Sequence, residues 1–334
     1  MPNRAKPRRA TLRSLAKINL DLRVLNRNPD GYHELRTVFQ TISLADTIEV
    51  EFIASGGIEL SIDDDAGIPN NLILRAASAA LVAMRTGGRV HFRLKKRIPM
   101  GGGLGGGSSN AAAVLLALPI LAGRAWPMEE RLEVAASLGS DISFFLLGGT
   151  ALGLGRGTEL YPLPELRAEP VLVVSPGVHI ATPAAYQALN RGLTFTNLSS
   201  SISDFQSYVR ALADGGSAGT AGAFAENDFE SAVSSQHPQL RAIIGKLRKL
   251  RAAGVRMTGS GSAVVGIFRS REERDRARRV FEGVREFGGF RLLPSSLVSR
   301  GAYRRLWRRQ LAEHLARQPG SEGKAWPLRS RYEQ

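Results

Sequence analysis

The chain reads as a two-domain α+β protein, and three observations carry that reading. At 334 residues it has room for two ordinary domains and a substantial core. Apolar residues alternate at period two in some runs and recur at three and four in others, so strands and helices are mixed. Past Pro162 and Pro164 the pattern restarts as strand-helix-strand-strand-helix-strand with extra helices, the order of an open α+β sandwich. These signals divide the chain into a basic arm (1–10), a first domain (11–165), a second domain (166–299) and a basic extension (300–334).

The elements follow in order. Residues 1–10 read as a disordered arm. From Ala16 the alternation is strict: Ala16, Ile18, Leu20, Leu22 and Val24 are apolar, with Lys17, Asn19, Asp21 and Arg23 between them. That predicts a half-buried strand with four polar groups on one face. Asn28-Pro29-Asp30-Gly31 is a turn by composition. Residues 38–44, 48–52 and 90–94 look like strands; residues 70–85, the Ala/Leu-rich 111–118 and 128–138 look like helices. In the second half, 171–174 is a buried strand. Helices then follow, broken by the loop Asp214-Gly215-Gly216-Ser217-Ala218-Gly219. Leu240, Ile243, Ile244, Leu247 and Leu250 form a helical stripe stopped by Gly254. A strand at 263–268, a charged helix at 272–281 and a strand at 290–298 complete the domain. Residues 300–318 place Tyr303, Leu306, Trp307, Leu311 and Leu315 on one side of a further helix. It reads either as packed on its own domain or as a basic amphipathic docking element.

Charge and composition exclude several functions. The net charge of +15 is concentrated at the ends: residues 1–17 and 300–334 carry +6 each, leaving +3 for everything between. Basic tails of this kind are attracted to any polyanion without reading it, so no specific nucleic-acid partner is expected. With no cysteine there is no disulfide, no thiol nucleophile and no Cys-based metal site. No apolar run is long enough to span a bilayer, and no apolar segment follows the basic N-terminus as in a secretory signal. The expected location is cytoplasmic.

The chemistry sits in Pro99-Met100-Gly101-Gly102-Gly103-Leu104-Gly105-Gly106-Gly107-Ser108-Ser109-Asn110. A strand precedes this loop and a helix follows it. Glycine lets main-chain N–H groups approach an anion, and a helix N-terminus adds unpaired donors and a positive dipole end. Ser108 or Ser109 can cap the helix or offer a hydroxyl to a phosphate or a metal. A Walker loop would end in Gly-Lys-Ser/Thr, and this loop has no lysine. A dinucleotide fingerprint can be laid over Gly101, Gly103 and Gly106, but the acids near the required offset, Glu129 and Glu130, lie in a helical stretch. A loop that only packs remains the bland alternative, against the backbone entropy that six glycines lose on folding. Asp141, after Gly139-Ser140, is either a helix N-cap or a carboxylate able to accept an alcohol's proton. Lys17 is either a solvated lysine on a strand or a cation beside that site. Tyr32 and Tyr186, taken alone, are a turn aromatic and a packed helix aromatic. His33 has no other histidine at ligand spacing, so it is not read as a metal ligand.

The loop resembles the phosphate loop of the GHMP kinases (galactose, homoserine, mevalonate and phosphomevalonate kinases). Three further motifs resemble the family in the same order: Ala16-Lys17-Ile18-Asn19-Leu20 with Asp30-Gly31-Tyr32-His33-Glu34-Leu35, Gly139-Ser140-Asp141-Ile142-Ser143-Phe144-Phe145, and Thr258-Gly259-Ser260-Gly261-Ser262. The resemblance spans about residues 12–300. It implies a ribosomal-protein-S5-domain-2-like first domain and a ferredoxin-like second domain, with the site in the cleft between them. It implies ATP held by residues 99–110 and Mg²⁺ carried with the nucleotide, with its protein ligands left open. Asp141 would be the catalytic base and Lys17 its partner, stabilising the transferring phosphate. The substrate implied is a small alcohol bearing a cytidine diphosphate group. Asn19 would contact it, Tyr32 and His33 would bind the base, Tyr186 would close its other face with Thr182 nearby, and Gly259 and Ser260 would wall the site. Ser143 departs from the proline the family commonly has there, and the extension past about residue 300 exceeds what the family needs. Monomer and homodimer are both left open.

Overall fold

A computed structural model of the chain describes residues 6–27, 33–189, 195–219, 225–287 and 289–315. In the first domain the order is β1 (Arg8–Arg27), β2 (His33–Ala54), β3 (Ile58–Asp64), α1 (Leu72–Ala83), β4 (Gly88–Lys95), α2 (Gly106–Ala122), α3 (Met128–Leu138), α4 (Ile142–Leu147), β5 (Thr150–Gly155) and β6 (Glu159–Pro162). The second contains β7 (Pro170–Ser175), α5 (Thr182–Leu189), α6 (Phe195–Ala213), α7 (Asp228–Gln236), α8 (Pro238–Lys249), β8 (Gly254–Met257), β9 (Val264–Ile267), α9 (Arg271–Glu282) and β10 (Arg291–Ser296). Then come α10 (Arg300–Gln310) and α11 (Ala312–Leu315).

The first sheet runs β3-β4-β2-β5-β6, with β1 along the remaining edge of β2. The runs at 38–44 and 48–52 prove to be one strand. Asp46 does not interrupt it, because its carboxylate accepts from the N–H groups of Arg97 (2.7 Å) and Ile98 (2.8 Å) and pairs with Lys96. A buried acid is tolerated when it is fully bonded. The second sheet, β10-β7-β9-β8, is antiparallel throughout and receives α8 and α9 in the strand-helix-strand-strand-helix-strand order expected of a ferredoxin-like domain.

Helix α2 is central. Its residues from Ser109 to Leu121 are all buried, so it has no polar face; it lies between β1, α1 and α4. Ala111, Ala112 and Ala113 keep it slim enough for that position. The N-terminal boundary differs from the sequence reading: the helix starts five residues before the apolar run, inside the glycine loop.

Strand β1 also differs. It begins at Arg8, opposite Phe52 of β2, so part of the expected arm is sheet. Its centre is buried on both faces rather than one. Ala16, Ile18 and Leu20 enter a cluster with Val171, Val173, Val265 and Ile267 of the second domain, so the two domains share a core. Lys17, Asn19, Asp21 and Arg23 are buried as well. Register shifts between Leu15 and Lys17 and between Asn19 and Asp21 bracket the first two polar residues, as bulges often do beside functional sites. The helix beyond residue 300 does pack on its own chain, but on the first domain: Tyr303, Trp307 and Leu311 lie in that domain's core.

Candidate active site

The free edge of β1 organises the site. A strand edge must find partners for its N–H groups. Here four of them go to three segments: Lys17 donates to the Leu104 carbonyl in the glycine loop (3.0 Å), Asn19 to the Thr258 hydroxyl (3.0 Å), and Leu22 and Val24 to the Glu226 carbonyl (2.8 Å) and the Asp228 carboxylate (2.8 Å). One strand therefore holds the loop, the late glycine turn and the start of α7 in fixed relation.

The loop lies against that turn. Gly103 has φ +73°, and a Cβ there would stand 2.0 Å from the Thr258 carbonyl oxygen; Gly101 has φ +66° and lies under the His179 ring. Only glycine fits either place. Helix α2 begins at Gly106 after Gly105, a left-handed N-cap with no side-chain cap bond. The serines thus do not cap it. Ser109 donates instead to the Leu15 carbonyl (2.6 Å), and Asn110 accepts from the Ser14 hydroxyl (2.5 Å). Both side chains are buried anchors of the helix, while half-buried Ser108 sits in the first turn. Leu104 is buried and Met100 is 60% exposed; Pro99 is buried, and Gly102 and Gly107 complete the loop. The result is a helix N-terminus with its first N–H groups uncapped. The loop lacks a lysine in sequence, but the fold supplies one: Lys96, paired with Asp46, holds its Nζ 3.0 Å from where a Gly106 Cβ would stand. Sequence reasoning missed it, since nothing in the 95–97 run marks it as aimed at residue 106.

Asp141 occupies the N-cap position of α4 yet makes no capping bond. Its carboxylate lies 3.3 Å from the Lys17 ammonium, which is almost wholly buried while Asp141 is about a third exposed. Lys17 also donates to Asn19 Oδ1 (2.7 Å), and Asn19 Oδ1 accepts from the Gly259 N–H (3.0 Å). Asn19 Nδ2 donates to the Thr37 hydroxyl (2.7 Å), which fixes the amide's orientation. Lys17, Asn19, Asp141 and Gly259 thus form one connected group beside the loop.

The aromatic residues form a second cluster. His33 and Tyr186 stack with ring centroids 4.7 Å apart, and Tyr186 meets Phe229 edge-on. Burial pushes the Tyr186 hydroxyl up to about 12, with the Asp141 charge adding to the effect. Thr182 and Ser260 hydroxyls are 3.2 Å apart. Tyr32 lies outside the described residues. Sequence reasoning also missed Asn227. Its amide donates to the Met257 and Gly259 carbonyls (2.8 and 2.9 Å) and holds the late turn in place. The helix start at Asn227-Asp228 gives only a capping signal, and Asn227 does cap α7 through the Phe229 N–H (3.0 Å).

Deeper on β1, Asp21 and Arg23 form a buried pair joined to Glu226. Burial pushes the Asp21 carboxyl up to about 6 in spite of Arg23 beside it. Among the described residues no group of three or more His, Asp or Glu side chains could form a metal cage, and no helix is long and apolar enough to cross a membrane.

Two family descriptions match the chain: GHMP kinases N terminal domain over residues 71–149 and GHMP kinases C terminal over residues 208–288. A protein of Solibacter usitatus named 4-diphosphocytidyl-2-C-methyl-D-erythritol kinase is 49% identical over 97% of this chain and 98% of its own length. A protein of the same name from Thermus thermophilus is 41% identical over 82% of this chain and 92% of its own. A crystal structure of 4-(cytidine 5'-diphospho)-2C-methyl-D-erythritol kinase superposes with TM-score 0.70 at 36% identity, covering 86% of this chain and 98% of that one. A mevalonate kinase of L. major, 17% identical, shares the fold with TM-score 0.67 over 88% of this chain and 99% of its own. With the glycine loop and the late glycine turn meeting across β1, and with both family domains matched in order, the chain belongs to the GHMP kinase family.

Proposed function

We propose that this chain transfers the γ-phosphoryl group of ATP to the C2 hydroxyl of 4-diphosphocytidyl-2-C-methyl-D-erythritol, a step of the non-mevalonate route to isoprenoid precursors. The observation that carries the reading is the Asp141 carboxylate 3.3 Å from a buried lysine, beside an uncapped helix N-terminus. The names of the relatives support the choice of substrate.

Phosphoryl transfer needs positioned reactants and a surround that neutralises charge on the moving group. The N–H groups of Gly106, Gly107 and Ser108 hold the polyphosphate at the positive end of α2. Lys96 adds an ammonium at that end. Asp141 accepts the proton of the C2 hydroxyl as its oxygen attacks phosphorus. Lys17 pairs with that carboxylate and faces the charge that spreads over the phosphoryl oxygens. Asn19, held by Thr37 and Gly259, orients Lys17 and contacts the substrate. The residues also fit Mg²⁺, which binds chiefly through phosphate oxygens and water and needs few protein ligands. Half-buried Ser108, in the first turn of α2, would hold it there, and it would neutralise phosphate charge.

The cytidine handle is placed by the aromatic cluster, with Thr182 and Ser260 beside it. His33 and Tyr186 are in ring contact, so a base stacks on Tyr186 when His33 swings aside and turns its nitrogens to the base edge. Incubating the protein with ATP, Mg²⁺ and the cytidyl alcohol, with phosphorus NMR and mass spectrometry of the products, tests the reading. A new phosphate monoester on C2 is expected. ATP turnover with homoserine or mevalonate, and none with the cytidyl alcohol, would refute it.

A further inference from the structure

The basic extension has no place in the site described so far, and it lies beyond the residues the family's C-terminal description matches, which end at 288. Its first helix, α10, does not lie on the domain that precedes it. It crosses to the first domain and packs against α4, the helix that presents Asp141. The Tyr303 hydroxyl donates to the Phe145 carbonyl at 2.6 Å, four residues after Asp141. Both groups are buried, and burial holds the Tyr303 phenol far above its ordinary range, so it remains a donor. The Tyr303 ring fills the space beside Gly148: a Cβ there would stand 2.2 Å from the ring, and one at Gly149 would stand 2.6 Å from Arg300 Cβ. Arg300 donates to the Thr150 carbonyl at 2.6 Å. The extension therefore grips the whole C-terminal end of α4 and the turn that leaves it.

The other side of the same helix faces the phosphate loop. The Phe145 ring lies 2.9 Å from where a Gly105 Cβ would stand, and Gly105 is the N-cap of α2. At its far end the extension is tied to β1 upstream of Lys17: Gln310 accepts from the Arg13 N–H (2.6 Å) and His314 Nε2 lies 2.7 Å from the Arg9 carbonyl. One helix thus bears on the carrier of Asp141 and, through it, on the cap of α2, while its tie to β1 lies upstream of Lys17 and only holds the extension in place.

We infer that α10 positions the catalytic carboxylate, with Tyr303 as the positioning residue that fixes α4, and hence Asp141, against the glycine loop and Lys17. The inference rests on the reading of Asp141 as the base. The hydroxyl-to-carbonyl bond is short, buried and directed at the backbone of a helix of six residues, too short to hold its own orientation. A mechanism that depends on near-contact geometry is sensitive to such a support.

The test compares full-length Tyr303→Phe with Gln310→Ala and Asp141→Asn, measuring kcat, both KM values, affinity for a non-hydrolysable ATP analogue and Tm. Tyr303→Phe keeps the ring and removes only the donor, so it is expected to fold. It should lower kcat about three- to ten-fold, the worth of one such bond, with analogue affinity and both KM values unchanged. Gln310→Ala should lower Tm and leave kcat as it is. Normal kcat in Tyr303→Phe, with Tm lowered or not, overturns the inference and leaves the extension a stabilising element. A fall in kcat of the same size in Gln310→Ala also overturns it, because any loosening would then serve. Near-normal turnover in Asp141→Asn overturns the base reading and this inference with it. An inactive Asp141→Asn beside a fully active Tyr303→Phe overturns this inference alone.

Discussion

Replacing Gly103 by alanine bears directly on how the loop meets the late turn. Gly103 has φ +73°, and the added Cβ would lie 2.0 Å from the Thr258 carbonyl oxygen. The left-handed conformation alone costs a side-chain-bearing residue about 1–2 kcal/mol. Relief of the contact requires the two backbones to part by roughly 1 Å, and a shift of that size near reacting groups costs on the order of 100-fold in rate. Thr258 receives the Asn19 N–H and Gly259 donates to Asn19 Oδ1, so the shift reaches Lys17 and Asp141 through Asn19. The neighbouring Gly102 supplies the contrast: a Cβ there would meet Ala263 at 3.4 Å, an ordinary contact, on unstrained backbone. Differential scanning calorimetry and steady-state kinetics on the two alanine variants make the comparison. Gly103→Ala should lower Tm by a few degrees and kcat by about 100-fold, while Gly102→Ala should keep Tm within about a degree. Equal Tm and kcat in the two variants would refute the argument.

Three other outcomes follow from the same geometry. Lys17→Met should reduce kcat by at least about 100-fold, because it removes the cation facing both Asp141 and the transferring phosphoryl group; a change confined to KM, seen in initial-rate kinetics, would contradict that role. Tyr186→Ala should raise KM for the cytidyl alcohol more than for ATP, and an unchanged ratio of the two would take Tyr186 out of the base site. Asp21 titrates near 6 when folded and near 3.8 when unfolded. The unfolded chain therefore gives up this proton first as pH rises, and the group's contribution to stability falls between about pH 4 and 6. At 1.36 kcal/mol per unit, urea unfolding should show wild type losing about 3 kcal/mol relative to Asp21→Asn across that window. A flat difference would mean the pair with Arg23 offsets the cost of burial.

What could be read from the sequence was local. The glycine loop announces itself because Gly101, Gly103 and Gly105 take a left-handed backbone that other residues rarely adopt, and the order of elements around it reflects periodicities that short windows preserve. Lys17 and Asn19 were legible as neighbours, since both stand on one strand two residues apart. Their burial was not legible: it depends on a second domain whose core residues, such as Val173 and Val265, lie far along the chain. The functions of Thr258 and Asn227 were hidden for the same reason, since Asn19 and Thr258 are 239 residues apart. Lys96 looked like one more basic residue in a basic run. Tyr303 had the right helical spacing for packing, but nothing local says that the face it covers belongs to α4. The capping reading of Ser108 and Ser109 failed because Gly105 enters the helix left-handed, so α2 starts before either serine could serve as its cap.

The central claim is that the amides at the start of α2 hold ATP with its terminal phosphoryl group aimed at an alcohol beside Asp141. A crystal structure with a non-hydrolysable ATP analogue and the cytidyl alcohol tests it most directly. β- and γ-phosphate oxygens are expected on the N–H groups of Gly106 to Ser108, and the C2 hydroxyl within hydrogen-bond reach of the Asp141 carboxylate. Phosphates bound away from that helix end, or a C2 hydroxyl facing a group other than Asp141, would contradict it.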